Sequence, residues 1–100
     1  MSSYTLEIRP AFRRDFKNLP VPIQTTVFFM LELLKENPFP QGTKKLEGPR
    51  GPLYRVKIAN DYRLIYAVLK GKLLVVALRV GPRKDYLSST SGFENLNGFK

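Results

Sequence analysis

The fold of this chain is decided by residues 53–69, LYRVKIANDYRLIYAVL, which have the pattern of two strands joined by Ala59-Asn60-Asp61. Apolar and polar side chains alternate on both sides of that connection, as in a β-hairpin with one buried face. The side chains that must share the buried face are Tyr54, Val56, Ile58, Tyr62, Leu64 and Tyr66. This requirement pairs residue 58 with residue 62 and residue 57 with residue 63, because a slip of one residue would bury the charge of Arg63.

The same register brings three basic side chains together on the other face of the hairpin. Arg55 and Lys57 lie two residues apart on one strand and therefore point the same way, and Arg63 pairs beside them. The two strands supply no carboxylate between these cations, which repel one another when nothing is bound. A solvated basic face is the plain alternative, but the arrangement favours an anion-binding site.

The positive charge of the chain is concentrated in one half. The 100 residues contain 17 Lys and Arg against 8 Asp and Glu, a net charge of +9. Residues 44–86 carry a net charge of +8, whereas residues 1–43 carry +1. This asymmetry predicts a surface that binds a polyanion, with nucleic acid, an acidic protein and anionic lipid as candidates. Lipid is the weakest of the three, because no basic amphipathic helix is visible in 44–86.

The composition excludes several kinds of chemistry. The chain has no histidine and no cysteine, so Cys/His zinc sites, thiol nucleophiles, disulfides and Ser-His-Asp triads are impossible. Acid–base chemistry must use Lys, Arg, Tyr or a carboxylate, and we expect neither a metal nor another cofactor. The start of the chain has no secretory pattern, and the longest apolar run, residues 73–78, is too short to span a bilayer. These features predict a cytoplasmic protein without a membrane partner.

The remaining segments complete an α+β fold. Residues 4–8 alternate as a strand, Pro10 opens a first helix, and a second helix ends near Asn37 because Pro38 follows. We interpret Phe28 and Phe29 as core, with one spare apolar position for a partner, and the Pro-, Gly- and Lys-rich residues 38–52 as a loop. Residues 73–80 are apolar on both faces except at Arg79, as in a central strand, and Gly81-Pro82 should turn the chain at the sheet edge.

The predicted order is β-α-α-β-β-β, a largely antiparallel four-stranded sheet with two N-terminal helices packed on one face. We assign residues 1–87 to a single domain. Residues 88–100 are rich in Ser, Gly and Asn and form a C-terminal tail that is either flexible or docked through its apolar side chains.

Four short runs resemble the RelE/ParE superfamily of toxin–antitoxin toxins. They are KLEG at 45–48, YRVK at 54–57, DYRLIY at 61–66 and VGPRKDY at 80–86. The resemblance spans residues 4–86 and includes the first strand, the first helix and the LLKENP end of the second helix. It implies a RelE-like fold and a cytosolic toxin that a cognate acidic antitoxin neutralises.

Members of this superfamily act in two ways. RelE-like members cut messenger RNA in the ribosomal A site, whereas ParE-like members inhibit DNA gyrase and lack the basic catalytic set. That set is two basic residues on one strand, two further arginines and a C-terminal tyrosine, which correspond here to Arg55, Lys57, Arg63, Arg83 and Tyr86. Arg55 stands where Lys is usual, Pro82 precedes Arg83 where many relatives have His, and Tyr86 follows Arg83 more closely than expected.

The resemblance therefore implies a metal-independent, ribosome-dependent mRNA endoribonuclease whose partners are the ribosome and mRNA. The catalytic candidates are Lys57, Arg63, Arg83 and Tyr86, and the RNA- or phosphate-binding candidates are Arg55, Lys44, Lys45, Arg50 and Lys84. The first alternative is a ParE-like gyrase inhibitor without nuclease activity. The second is an inert relative that only binds nucleic acid.

Overall fold

A computed structural model describes residues 3–46 and 52–82 of the chain. The elements are β1 (Thr5–Ile8), α1 (Pro10–Lys17), α2 (Val21–Glu36), β2 (Lys44–Leu46), β3 (Leu53–Ile58), β4 (Tyr62–Leu69), a 3₁₀ turn (Lys70–Lys72) and β5 (Leu74–Pro82). The strands form one sheet in the order β1-β5-β4-β3-β2, with β1 parallel to β5 and every other pair antiparallel. The predicted α+β class, with two helices against a largely antiparallel sheet, is confirmed.

The hairpin register is the one that the sequence predicts. Ile58 pairs with Tyr62 and Lys57 pairs with Arg63, so residues 59–61 connect the strands. Ala59 adopts a left-handed conformation, with φ at 53°, which turns the chain tightly. Alternate side chains of β3 and β4, including Val56, Ile58 and Leu64, therefore join the core between sheet and helices.

Within the described residues the sheet has five strands, and the prediction of four was wrong. The extra strand is β2, which lies inside the segment predicted to be a loop and pairs Lys44 with Arg55. A run of three residues, two of them exposed lysines, shows no alternation that a local pattern could detect. Gly81 and Pro82, which we expected to turn the chain, instead continue β5 and pair with β4.

Both helices begin at a proline-containing turn and bury one stripe. Pro10 is the first residue of α1, and α2 ends at Glu36 with Asn37 as its cap, as predicted. The buried residues of α2 are Val27, Leu31 and Leu34, spaced four and three residues apart. Among the described residues no helix is long and apolar enough to cross a membrane.

The prediction that Phe28 and Phe29 belong to the core was wrong. Their exposed fractions are 54% and 65%, because neighbours of Val27 in sequence point up to about 200° away from it around the helix. The two rings contact each other edge to face, with centroids 5.9 Å apart. Val21 and Leu33 are also exposed, so the apolar surface of α2 is larger than one position.

A carboxylate joins α1 to a β-bulge in β5. The register between β4 and β5 shifts by one residue between Ile65 and Tyr66, and Arg79, which pairs with Ile65, bonds to helix α1. Asp15 accepts hydrogen bonds from Arg79 Nε at 2.7 Å, from Arg79 Nη2 at 3.1 Å and from the Val80 amide at 3.1 Å. Both side chains of this ion pair are mostly buried, so the bonds are largely shielded from solvent.

Tyr66 fastens the segment between α2 and β2 to the core. Its fully buried hydroxyl donates a hydrogen bond to the Pro38 carbonyl at 2.7 Å and lies 3.4 Å from Thr43 Oγ1. The Tyr54 ring packs between the rings of Tyr66 and Phe39, with centroid distances of 5.8 Å and 5.0 Å. Burial raises the pKa of the Tyr66 hydroxyl above its ordinary value, and the hydrogen bond with Thr43 opposes part of that rise.

Replacing Asp15 tests the link between α1 and β5. Asp15→Ala should lower the free energy of unfolding by about 2 kcal/mol, since several bonds to a mostly buried carboxylate are lost. Glu7→Ala is the matched control, because it breaks the exposed Arg9–Glu7 pair, a change worth at most about 0.5 kcal/mol. Urea denaturation measures both values, and equal losses would contradict a special role for Asp15.

The loss of folding stability at alkaline pH tests the burial of Tyr66. Because its pKa is raised in the folded chain, unfolding releases its proton, and its contribution to stability declines as the pH rises above about 10. The free energy of unfolding should therefore fall more steeply between about pH 9 and 11 in the wild type than in Tyr66→Phe. Urea denaturation at each pH measures this. An equal fall in the wild type and in Tyr66→Phe would show that the Tyr66 hydroxyl has the same pKa in the folded and unfolded chains.

Candidate functional site

Four basic residues lie together on the outer face, the sheet face opposite the helices. Val56 and Ile58 point into the core, so the intervening side chains of β3 point outward. Cross-strand pairing aligns Lys44 with Arg55, and Lys57 with Arg63. We call this group the basic cluster: Lys44, Arg55, Lys57 and Arg63.

The spacing of the basic cluster follows from sheet geometry. Directly paired residues have Cβ atoms roughly 5 Å apart, and residues two apart on one strand are separated by about 7 Å. The ion pairs between described residues use Glu7, Asp15 and Glu32, and none of them reaches Lys44, Arg55 or Lys57. Lys44, Arg55 and Lys57 therefore carry positive charge that no ion pair among the described residues balances, which favours the binding of an anion.

The guanidinium of Arg63 is held at the turn end of the hairpin. Its Nη1 donates to the Tyr62 carbonyl at 3.1 Å and lies 3.5 Å from the Asn60 carbonyl. On the far side, Arg63 pairs with Gly81 of β5, which has no side chain to flank it. Lys57, which is exposed, occupies the near side.

Ile65 forms the apolar centre of the outer face. It pairs with Arg55 on one side and Arg79 on the other, and only 1% of its surface is exposed. Arg79 belongs to the same row, but Asp15 binds its guanidinium on the helix side. The ion pair with Asp15 therefore gives Arg79 a structural role.

The structure brings only some of the predicted site residues together. Lys44, Arg55, Lys57 and Arg63 converge, whereas Lys45 pairs with Tyr54 and lies on the side of the sheet that faces the helices. The remaining candidates, Arg50, Arg83, Lys84 and Tyr86, lie outside the described residues. Within the described ranges, no group of three acidic side chains is placed to hold a metal ion.

Two supporting residues were missed in the sequence. Asp15 stands alone as an acid in the otherwise basic first helix, and Arg79 is the one charge in an apolar strand. These two isolated opposite charges were a signal for an ion pair between the elements. No local signal marked the Tyr66 hydroxyl, since tyrosine at a core-facing strand position is ordinary.

The fold and the basic cluster define a class of small α+β proteins with a cationic sheet face. Residues 6–86 match the profile of the family described as the ParE toxin of the type II toxin–antitoxin system, parDE. Among curated proteins no match was found. The chain therefore belongs to the RelE/ParE superfamily and is a toxin of a type II toxin–antitoxin system, which confirms the family that the sequence resembles.

Solved structures agree with this assignment. The chain is 28% identical to a chain of the toxin–antitoxin complex RelBE2 from Mycobacterium tuberculosis, with a TM-score of 0.70, covering 81% of this chain and 99% of that one. It is 27% identical to a chain of the archaeal RelE–RelB complex from Pyrococcus horikoshii, with a TM-score of 0.71, covering 81% and 96%. A mutant E. coli RelE toxin in the free state is 22% identical and has the same fold, with a TM-score of 0.73 over 98% and 99% of the two chains.

The basic cluster should cost stability in the absence of a ligand. Lys57 and Arg63 are direct cross-strand neighbours of like charge, so Lys57→Gln should raise the free energy of unfolding by about 0.5 kcal/mol at low salt. The gain should shrink at high salt, where the repulsion is screened. Lys45→Gln, on the other side of the sheet, is the control. A loss of stability in Lys57→Gln, measured by urea denaturation, would mean that the lysine stabilises the fold.

Proposed function

We propose that this toxin is a ribosome-dependent endoribonuclease that cleaves messenger RNA and thereby inhibits translation. The observation that supports it best is the direct pairing of Lys57 with Arg63 beside Arg55 on the outer face. Such a set suits a phosphodiester, which needs cations around the phosphate and a group that accepts a proton. The RNA provides its own nucleophile, the 2′-hydroxyl, so the protein needs no nucleophilic side chain.

Each residue then has a distinct part in the reaction. Lys57, in its neutral form, removes the proton of the 2′-hydroxyl, and the 2′-oxygen attacks the adjacent phosphorus. Arg63 holds the phosphate and stabilises the charge that develops on its oxygens. Arg83 stabilises the departing 5′-oxygen, and Tyr86 supplies the proton that this oxygen takes up. The products are a 2′,3′-cyclic phosphate and a 5′-hydroxyl.

The absence of histidine explains why the ribosome would be required. Histidine commonly transfers protons near neutral pH because its pKa lies there, whereas lysine, arginine and tyrosine ordinarily titrate far from it. A site built from these groups is expected to be slow on free RNA. Placement of the mRNA by the ribosome would supply the orientation that the isolated protein lacks.

A gyrase inhibitor is the alternative, because the matching family profile is described as ParE. That activity would be protein binding without RNA cleavage. In favour of the nuclease, Arg55, Lys57 and Arg63 of the basic cluster stand at positions of the set that the RelE-like members use and the ParE-like members lack. A cognate acidic antitoxin would neutralise either activity, and the solved complexes of relatives contain RelB antitoxins.

Primer extension on translating ribosomes separates the two functions. Added toxin should produce cuts in phase with the codons in the A site, and Lys57→Ala or Arg63→Ala should reduce them by roughly 10²–10⁴-fold, as for loss of an acid–base or phosphate-binding group. Lys45→Ala is the control and should cut normally, since it lies off the outer face. Intact mRNA together with a loss of gyrase supercoiling would refute the nuclease and favour the inhibitor.

A further inference from the structure

Strand β2 is short, and the segment before it is held by contacts on the core side of the sheet, opposite the outer face. It has three residues, pairs with β3 alone, and two of its side chains are exposed. The segment that leads into β2 is residues 38–43, and both of its ends are bonded to Tyr66. Tyr66 donates to the Pro38 carbonyl and contacts the Thr43 hydroxyl, and the Thr43 amide donates to the Pro40 carbonyl at 3.1 Å.

The aromatic rings complete this attachment. Phe39 packs on Tyr54, which packs on Tyr66, and the Lys70 ammonium lies 5.3 Å from the centroid of the Phe39 ring. Pro38 and Pro40 are both buried. The residue that follows Thr43 is Lys44, the first residue of β2 and the partner of Arg55. The core side of the sheet therefore determines where a cation is placed on the outer face.

This placement divides the basic cluster into two pairs. Lys57 with Arg63 forms the pair at the turn end of the hairpin, and Arg55 with Lys44 forms a second pair about 7 Å away along β3. Each pair can bind one anionic group from two sides. A ligand with two negative groups in series fits the two pairs, and an RNA strand carries such groups along its backbone.

We infer that Lys44 and Arg55 form a second phosphate subsite for the RNA strand, and that Tyr66 is the positioning residue that builds it. The choice of RNA as the ligand rests on the proposed function, whereas the two-pair geometry does not. The subsite holds the phosphate next to the scissile one and so sets the direction in which the strand crosses the sheet. Because burial raises the pKa of Tyr66, its hydroxyl stays protonated and keeps donating at every physiological pH.

The salt dependence of RNA binding tests the second subsite. The probe is a short single-stranded RNA with 2′-O-methyl groups, which keeps every phosphate and cannot be cleaved through the 2′-oxygen. Losing one phosphate contact lowers the slope of log affinity against log salt by about 0.7. Lys44→Gln should show this loss, and Lys45→Gln, its neighbour on the other side of the sheet, should keep the wild-type slope. Equal effects of the two variants would overturn the subsite.

The positioning role of Tyr66 is tested with a matched pair of tyrosines. Tyr66→Phe removes the anchoring hydroxyl, whereas Tyr54→Phe removes a hydroxyl that has no hydrogen bond among the described residues. Tyr66→Phe should reduce the salt slope as Lys44→Gln does, and combining the two changes should cause no further loss, because both remove the same contact. Additive losses, or a wild-type slope in Tyr66→Phe, would overturn the role.

Hydrogen exchange provides a readout that needs no RNA. Amides of Lys44–Leu46 should exchange faster in Tyr66→Phe than in Tyr54→Phe, while those in the middle of β4 remain protected. Unchanged exchange at β2 would overturn the anchor even if Tyr66→Phe binds RNA weakly. Failure of the proposed function is distinct: mRNA on translating ribosomes would then stay uncut by the wild-type protein, whatever the salt slopes and the exchange show.

Discussion

The pairing of Ile58 with Tyr62 and Lys57 with Arg63 is the constraint on which the rest of the structure depends. It commits one set of alternate side chains to the core and the other set to the outer face, because side chains in a strand alternate. The helices cover the first set, and the basic cluster is built from the second. Core packing and cation placement thus follow from a single register, and neither can change without the other.

The two faces of the sheet carry opposite kinds of interaction. On the helix side, Tyr66 satisfies the carbonyl of Pro38, and Asp15 of α1 neutralises Arg79 of β5. On the outer face, Lys57 lies directly beside Arg63, and like charges at directly paired positions generally destabilise a sheet. A like-charged pair that persists where an uncharged residue would be more stable is typical of functional sites. The binding of a phosphate would turn this repulsion into attraction to the ligand.

The local sequence pattern was sufficient to predict the elements whose periodicity is strong. The hairpin of β3 and β4, the start of α1 at Pro10 and the end of α2 before Pro38 all follow from alternation or from proline chemistry. Strand β2 could not be predicted, since its three residues show no alternation and the contacts of Tyr66 with Pro38 and Thr43 join residues far apart in sequence. Lys44 and Lys45, which look equivalent in sequence, lie on different sides of the sheet because successive side chains of a strand alternate.

Residue composition gave a wrong prediction for α2 and a useful one for the candidate site. Phe28 and Phe29 were assigned to the core because they are large and apolar, yet the helix turns both rings outward. Conversely, the lack of histidine restricted the possible chemistry to Lys, Arg and Tyr, and the register then brought Arg55, Lys57 and Arg63 together. The contributions of Arg83 and Tyr86 rest on the resemblance to the RelE-like members.

The most direct measurement is the chemistry of the RNA ends left on mRNA from translating ribosomes treated with the toxin. Attack by the 2′-hydroxyl predicts a 2′,3′-cyclic phosphate on the upstream fragment and a 5′-hydroxyl on the downstream one. These ends should accumulate at the A-site codon and disappear when Lys57 or Arg63 is replaced. Uncut mRNA, or fragments that end in a 3′-hydroxyl and a 5′-phosphate, would contradict the assignment of the basic cluster as an RNA-cleaving site.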